Sequence, residues 1–173
     1  MHAEEENPAA WYAIRIRSRH EKLVNQQLAS RDIDVFLPLV TRRQRWADRW
    51  KNVSFPLFPG YCFARFPYGQ HEQRLAVVSA VGFMQILGIN GDPTPVPDRE
   101  IEAVRQLVTC TLPLDPHPYL NEGMEVEVMR GPLEGVRGIL LRKGRHARFI
   151  VAIHLIQQAA SVELDAADVE PVR

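Results

Sequence analysis

Every second position in residues 11–17, WYAIRIR, is apolar at Tyr12, Ile14 and Ile16, while both charges, Arg15 and Arg17, fall on the other positions. This period of two predicts a β-strand with one apolar face. The pattern then changes to a helical period, because Val24 and Leu28 stand one turn apart. Ser18 and Glu21 just before them form an S-x-x-E capping box. The pattern therefore predicts that a strand runs directly into a capped helix.

The rest of the first half follows the same two periods. Residues 41–52 carry too many charges to be buried and predict the tip of a long hairpin. Pro38 removes a backbone donor, so its strand should lie at an edge or be bulged there. The other predicted elements are strands over 33–40, 61–66 and 83–88, a short helix over 70–79 and a helix capped by Asp98.

Composition changes after residue 110. Three prolines between residues 111 and 121 predict a stiff, extended linker. Short β-patterned segments separated by glycine turns follow, and about fifty residues of this kind predict a small β-barrel. The predicted fold class is α+β, an antiparallel sheet with flanking helices plus a small C-terminal barrel. The predicted ranges are a disordered N-terminus at 1–10, a first domain at 11–110, the linker at 111–121 and the barrel at 122–173.

Charge is balanced over the 173 residues, with 21 Lys and Arg against 21 Asp and Glu, but it is unevenly placed. Residues 11–74 hold 12 basic and 5 acidic residues, a local net charge of +7. A basic segment within a neutral chain is typical of a patch directed at a polyanion.

Sequence motifs of catalysis are missing: there is no Walker loop, G-x-G-x-x-G, H-E-x-x-H or G-x-S-x-G. Cys62 and Cys110 are the only cysteines, which excludes a disulfide framework and a cysteine-rich zinc site. No run approaches the ~20 apolar residues of a membrane span, and the acidic start MHAEEENP is unlike a secretory leader. We therefore expect a non-enzymatic, cytoplasmic protein without cofactor or metal.

The most specific motif is PLFPGYCFARF, residues 56–66. A WY strand, a capped helix, an FLP element and a basic hairpin precede it. A GF strand, a P-V-P-D-x-E-I helix and a G-x-x-V-x-V…GP-x-x-G-x-x-G segment follow. This order, over residues 11–172, resembles the NusG family of transcription elongation factors. The resemblance implies a NusG-type N-terminal domain, a C-terminal KOW barrel and a monomer that binds elongating RNA polymerase.

The same resemblance implies that a hydrophobic depression captures the clamp helices of the polymerase, as aromatic anchors in a groove can do. The alternative for every such residue is simple burial in the core. The implied polymerase-binding residues are Phe58 and Tyr61 of the motif, with Trp11, Tyr12, Phe83 and Ile86 as further members. His71, in the polar run 71–74, would face the gate loop of the polymerase β-subunit.

Basic residues at the strand-to-helix junction suggest contact with DNA. In RfaH-like relatives the equivalent junction touches the non-template DNA strand, and basic groups beside aromatic rings suit single-stranded DNA. A solvated charged turn explains the same residues equally well. The implied DNA-binding residues are Arg17, Arg19, His20 and Lys22, with Arg74 from the polar run.

The predicted hairpin from Arg42 to Lys51 has five basic residues and two tryptophans, Trp46 and Trp50. It could rest on upstream DNA. It could equally be a mobile loop whose Trp pair folds back on itself.

In the C-terminal segment, Gly131, Gly135 and Gly138 match the KOW signature and would supply the backbone freedom of tight turns. The resemblance implies that Leu155 and Ile156 contact NusE, the ribosomal protein, and so the ribosome. Housekeeping NusG has a phenylalanine-glycine pair where Ile156 and Gln157 stand, so Rho binding is doubtful and the specialised, RfaH-like branch is favoured.

The leading interpretation is a factor that promotes processive transcription and antitermination, at specific operons through contact with non-template DNA. The alternatives are a general NusG that also recruits Rho and a KOW-containing, ribosome-associated protein. The strict alternation at Met124, Val126 and Val128 predicts that the C-terminal segment is β rather than a helical hairpin, and that the polymerase site is open.

Overall fold

The computed structural model describes residues 7–117, 119, 123–143 and 146–172. Of the N-terminus predicted to be disordered over 1–10, residues 1–6 lie outside the described residues, as do residues 118 and 120–122 of the predicted linker. Ala10, the last residue of that N-terminus, already belongs to the first strand. The chain divides into two compact units, with the boundary between Asp98 and Arg99. The predicted domain ranges remain predictions.

The first unit is built on a four-stranded antiparallel sheet with the order β2-β5-β1-β6. Its strands are β1 (Ala10–Ile16), β2 (Asp34–Phe36), β5 (Tyr61–Phe66) and β6 (Phe83–Ile86). Between β2 and β5 lies a separate hairpin of β3 (Leu39–Trp46) and β4 (Arg49–Pro56). The remaining elements of this unit are α1 (Glu21–Ala29), α2 (His71–Val78), β7 (Gly88–Ile89) and β8 (Asp92–Pro93).

Both helices of the first unit cover the same face of the sheet. Val24 and Leu28 of α1 and Val77 of α2 are buried in one cluster with the apolar face of β1, as the sequence pattern predicts. The side-chain amide of Gln27 ties the layer together, since it donates to the carbonyl of Val81 and accepts from its N–H, at 3.3 and 3.0 Å.

Two local predictions need correction. Helix α1 begins at Glu21 with His20 at the N-cap, and no side chain caps it, so the predicted capping box from Ser18 does not form. The predicted strand over 33–40 is interrupted before Leu39, because Pro38 cannot donate to a ladder. The carbonyl of Pro38 instead accepts from the N–H of Leu57 at 2.8 Å.

The second unit contains most of α3 (Asp98–Thr109) and a six-stranded antiparallel sheet with the order β14-β10-β11-β12-β13-β9. Its strands are β9 (Asp115–His117), β10 (Met124–Val128), β11 (Arg137–Lys143), β12 (His146–Ile153), β13 (Gln158–Leu164) and β14 (Val169–Pro171). The β conformation agrees with the predicted pattern.

The predicted closed barrel is not seen among the described residues, because β14 and β9 are the two ends of the strand order. Part of the predicted linker belongs to this sheet. Its residues Asp115–His117 are extended, but they form β9 and pair with Ala159 to Ser161 of β13. Proline at 116 is compatible with this place, because an edge strand tolerates a missing donor.

Candidate functional site

The FPGY turn sits where β1 passes into α1. Gly60 has a φ of +85°, a conformation that favours glycine. Its N–H donates to a carboxylate oxygen of the buried Glu21 at 2.9 Å, and its carbonyl accepts from the N–H of Ile16 at 2.8 Å. These two hydrogen bonds fix the turn, and with it the position at which Tyr61 begins β5.

Burial separates the predicted polymerase-binding residues into two groups. Phe58, Tyr12 and Trp11 are only 1%, 4% and 6% exposed, so they present almost no surface in this structure. Tyr61 is half-buried, and so are Phe83 and Ile86. The first three have the burial of core residues, and their contact with the polymerase stays a prediction.

The sheet also divides these residues between its two faces. Tyr12, Phe83 and Ile86 pack on the helix-covered side. Tyr61 lies on the other side, where it pairs with Arg15 of β1, which in turn pairs with Gln85 of β6. The structure therefore does not gather the predicted set into one depression.

Arg15 is a candidate that sequence reasoning did not select. It is exposed in the centre of the sheet, between half-buried Tyr61 and exposed Gln85. The alternation of WYAIRIR places Arg15 on the face opposite Tyr12 and so contained the signal. Its neighbour Tyr61 belongs to a motif much later in the chain. Only the strand register of the structure shows that the two residues pair.

The basic junction is exposed at Arg17, Arg19 and Lys22, while His20 is half-buried. Lys22 donates from Nζ to the backbone carbonyl of Ser54 at 2.8 Å, which joins the junction to strand β4. The N–H of Arg17 donates to the carbonyl of Gly82 at 2.8 Å, next to the start of β6. The structure thus brings the junction and the base of the β3–β4 hairpin together.

His71 and Arg74 occupy the first turn of α2. The Arg74 guanidinium lies 5.2 Å from the ring centroid of Tyr68 and donates to the carbonyl of the same residue at 3.3 Å. It also lies 3.4 Å from Nδ1 of His71. Arg74 therefore makes its contacts within its own unit, with Tyr68 and His71. His71 itself is exposed. The predicted DNA and gate-loop contacts of the two residues stay predictions.

Leu155 and Ile156 lie in a short 3₁₀ helix, His154–Ile156, that follows β12. Ile156 is buried and Leu155 is half-buried, so only Leu155 offers appreciable surface. Next to them, the N–H of His154 donates to a carboxylate oxygen of Glu100 at 3.2 Å. Burial raises the pKa of Glu100, and the hydrogen bond from His154 opposes that shift.

A comparison with protein families decides the affiliation. The family model of NusG, described as transcription termination factor nusG, matches residues 9–105. The chain belongs to the NusG family. The matched range takes in the whole four-stranded sheet, the FPGY turn and both helices that cover the sheet.

The solved structure of a NusG protein agrees with this assignment at the level of the fold. The structure described as "Domain interaction in Thermotoga maritima NusG" is 21% identical, with a TM-score of 0.56, and the match covers 95% of this chain and 98% of that one. Conformation A of an MjSpt4:Spt5 complex is 16% identical over 94% of this chain and 97% of that one. Its TM-score of 0.34 is too low to carry an argument.

Membership in the NusG family is consistent with a role in transcription elongation. Within the described residues, none of the helices has the length and apolar character needed to cross a membrane.

Proposed function

We propose that this NusG-family chain is a non-enzymatic, cytoplasmic and monomeric factor that binds elongating RNA polymerase and promotes processive transcription and antitermination. The observation that carries the proposal is the family match over residues 9–105, which includes nearly all of a compact α+β unit that ends at Asp98. In that unit Tyr61 and Arg15 stand side by side on the sheet face away from the helices.

Tyr61 is the proposed anchor for the clamp helices of the polymerase. A half-buried tyrosine on a rigid strand loses little side-chain entropy on binding and combines an apolar ring with a polar tip. Glu21 and Ile16 hold the FPGY turn from both sides, so the anchor is positioned before binding. Arg15 would add a cation for an acidic or aromatic group of the partner.

The test is a polymerase pull-down and an elongation assay with Tyr61→Ala. We expect binding to weaken by about 2 kcal/mol or more, as for a typical anchor residue. Leu23→Ala is the matched control, because Leu23 is an exposed apolar residue on helix α1. Equal binding by a folded Tyr61→Ala protein and by the Leu23→Ala protein would refute the anchor.

Phe58→Ala is unsuitable as a test of contact. Phe58 is 1% exposed, and removal of a buried phenylalanine costs about 3–5 kcal/mol of stability. A loss of polymerase binding in that variant would therefore report unfolding as readily as a lost contact.

We further propose that the junction of Arg17, Arg19 and Lys22 contacts the non-template DNA strand in the transcription bubble. Its support is the exposure of all three side chains within the basic first half of the chain. Replacement of the three by alanine should weaken recruitment to paused polymerase and reduce its dependence on salt, because fewer phosphates are neutralised. An unchanged salt dependence would leave the junction as a solvated turn.

The second unit is proposed to be the KOW-type domain that contacts NusE and so the ribosome through Leu155. Leu155→Glu should abolish NusE binding, whereas Met129→Glu, at another exposed apolar residue, should preserve it. The competing function is a general NusG that recruits Rho, which the description of the matched family as a termination factor favours. Retention of Rho by the immobilised protein would support that function over an RfaH-like role.

A further inference from the structure

The hairpin of β3 and β4 is the largest exposed feature that the proposed function leaves without a role. All of residues 41–52 are exposed, so neither face of this two-stranded ribbon rests on a core. An isolated two-stranded hairpin is marginally stable in water. Its side chains must therefore supply much of its stability. Because these side chains are exposed, they are also available to a binding partner.

The two tryptophans lie on opposite faces of the ribbon. Trp46 pairs with Arg49, and Trp50 pairs with Arg45, so the rings belong to neighbouring positions of the pleat that point to opposite sides. Of the two alternatives for the hairpin, the one in which the Trp pair folds back on itself is therefore not the arrangement in this structure.

Each tryptophan instead has a cation across the ribbon. The Arg43 guanidinium lies 5.2 Å from the ring centroid of Trp50, and the Lys51 ammonium lies 5.6 Å from that of Trp46. These diagonal cation–π pairs stabilise the hairpin. They leave the side chains of Trp46 and Trp50 exposed at 71% and 57%.

Charge on the ribbon is strongly one-sided. The segment from Leu39 to Pro56 contains five basic residues and a single acidic one, Asp48, a net charge of +4. The hydrogen bond from Lys22 to Ser54 connects the base of the ribbon to the basic junction. A phosphate backbone is the natural complement of such a surface.

We propose that the β3–β4 hairpin is a binding site for single-stranded nucleic acid, in which bases stack on Trp46 and Trp50 while the surrounding arginines and lysine neutralise phosphates. This site goes beyond the proposed function, since it acts in the free protein without polymerase. A single strand is favoured over a duplex, because only unpaired bases can expose their faces to a ring. An indole on each face of the ribbon lets one strand engage both sides as it passes the tip.

Binding can be measured with the full-length protein and a fluorescein-labelled 12-nucleotide strand of mixed sequence, as DNA and as RNA, next to the matched DNA duplex. Anisotropy gives the affinity, and tryptophan fluorescence reports stacking. We expect either single strand to bind more tightly than the duplex and to quench the exposed tryptophans. The difference between DNA and RNA identifies the source of the strand.

The deciding variant is Trp46→Leu with Trp50→Leu, which removes both stacking rings. We expect affinity to fall on the order of tenfold or more for each ring. Trp46→Phe with Trp50→Phe keeps a ring beside each cation, so its affinity should fall less. Its tryptophan quenching should disappear, because the remaining Trp11 is buried. Amide chemical shifts of β3 and β4 establish that the ribbon persists.

A second variant removes charge and keeps both rings. It tests the binding site even if the leucine variant no longer forms the β3–β4 hairpin. Arg45→Gln with Arg49→Gln should reduce the slope of log affinity against log salt by about 1.4, at roughly 0.7 for each phosphate contact. Arg99→Gln with Arg130→Gln is the matched control, because it removes the same charge at exposed positions of the second unit.

Three results would overturn the site: no binding of any single strand at low salt, a duplex that binds as tightly as its single strands, or full affinity in a leucine variant whose ribbon persists. An unchanged salt slope in the charge variant would also overturn it. Because polymerase is absent from these assays, each of these results leaves polymerase binding through Tyr61 untouched.

Discussion

Glu21 is the residue whose role depends most on its surroundings. Its sequence context suggests a helix-capping carboxylate, yet the side chain is 6% exposed and accepts a hydrogen bond from the N–H of Gly60. It thus links the start of α1 to the turn before Tyr61. This hydrogen bond is part-buried, and a backbone donor that loses its acceptor in such a place costs at least as much as an average hydrogen bond contributes.

Glu21→Ala should therefore lower the free energy of unfolding by about 1–3 kcal/mol. Glu72→Ala, at an exposed glutamate in the first turn of α2, should change it by less than about 0.5 kcal/mol. Urea unfolding followed by circular dichroism measures both. Equal effects of the two substitutions would show that the Gly60 hydrogen bond contributes little.

Cys62 should be chemically silent in the native protein. Burial, reinforced by the nearby Glu21 carboxylate, raises the pKa of its thiol from 9.0 to about 12. At pH 8 a disulfide reagent such as Ellman's reagent should label Cys110, which is half-buried, and leave Cys62 untouched until the protein unfolds. The Cys110→Ser protein should consequently show almost no rapid labelling, and rapid labelling of it would contradict the burial.

The raised pKa of Cys62 also determines whether stability rises or falls at high pH. Above about pH 9 the unfolded chain loses the Cys62 proton while the native state keeps it. The unfolded state then binds fewer protons, so stability falls as pH rises. Cys62→Ala should remove this part of the alkaline loss of stability, which urea titrations between pH 8 and 10 can measure.

Among the elements, β11 and the turn before it show that glycines of one motif are required for different reasons. Gly131 and Gly135 have φ of +92° and +83°, with open space where a Cβ would stand, so the predicted need for backbone freedom is confirmed there. It is wrong for Gly138, whose Cβ would stand 2.4 Å from the carbonyl oxygen of Ile150 and 2.8 Å from the ring of Phe149. Close packing of β11 on β12 requires this glycine.

Gly138→Ala should destabilise the second unit by about 2 kcal/mol or more, because backbone must move to admit the methyl group. Gly131→Ala should cost about 1 kcal/mol, the strain of a left-handed alanine. Thermal unfolding, with hydrogen exchange at β11 and β12, separates the two. A smaller loss for Gly138→Ala than for Gly131→Ala would contradict the packing argument.

At the scale of the whole molecule, the main finding is how far the second unit extends along the chain. Its contacts begin at Arg99, so it includes most of α3, and β9 comes from the proline-rich segment. A fragment of residues 122–173 would lack both the β9 pairing with β13 and the Glu100 carboxylate that receives the N–H of His154. The predicted linker is thus partly structural.

We therefore expect residues 99–173 to be more stable than residues 122–173, with slower amide exchange in β13. Urea unfolding and hydrogen exchange on the two fragments measure the difference. Both should give β-type circular dichroism spectra, in agreement with the observed strands. Equal stability and equal protection of β13 would place β9 and α3 outside the folding unit.

Much of the fold was predictable because the signals are local. The buried positions of α1 follow from helical periodicity, and the long hairpin follows from the density of charge at its tip. The strand at residues 61–66 likewise follows from residues close together in the chain. Of the candidate site, the exposure of Arg17 and Lys22 also follows from such a pattern. The burial of Phe58 does not, because an aromatic residue beside Pro-Gly looks the same in sequence whether the fold covers it or displays it.

The sequence by itself determined the type and order of most elements, the basic character of the first half and the resemblance that the family match confirms. These depend on residues close together in the chain. Only the tertiary structure decided that Glu21 holds Gly60, that Tyr61 meets Arg15 and that β9 joins β13. Such pairings join residues 39 to 46 positions apart, and their register is set by packing and backbone hydrogen bonds that no local pattern encodes.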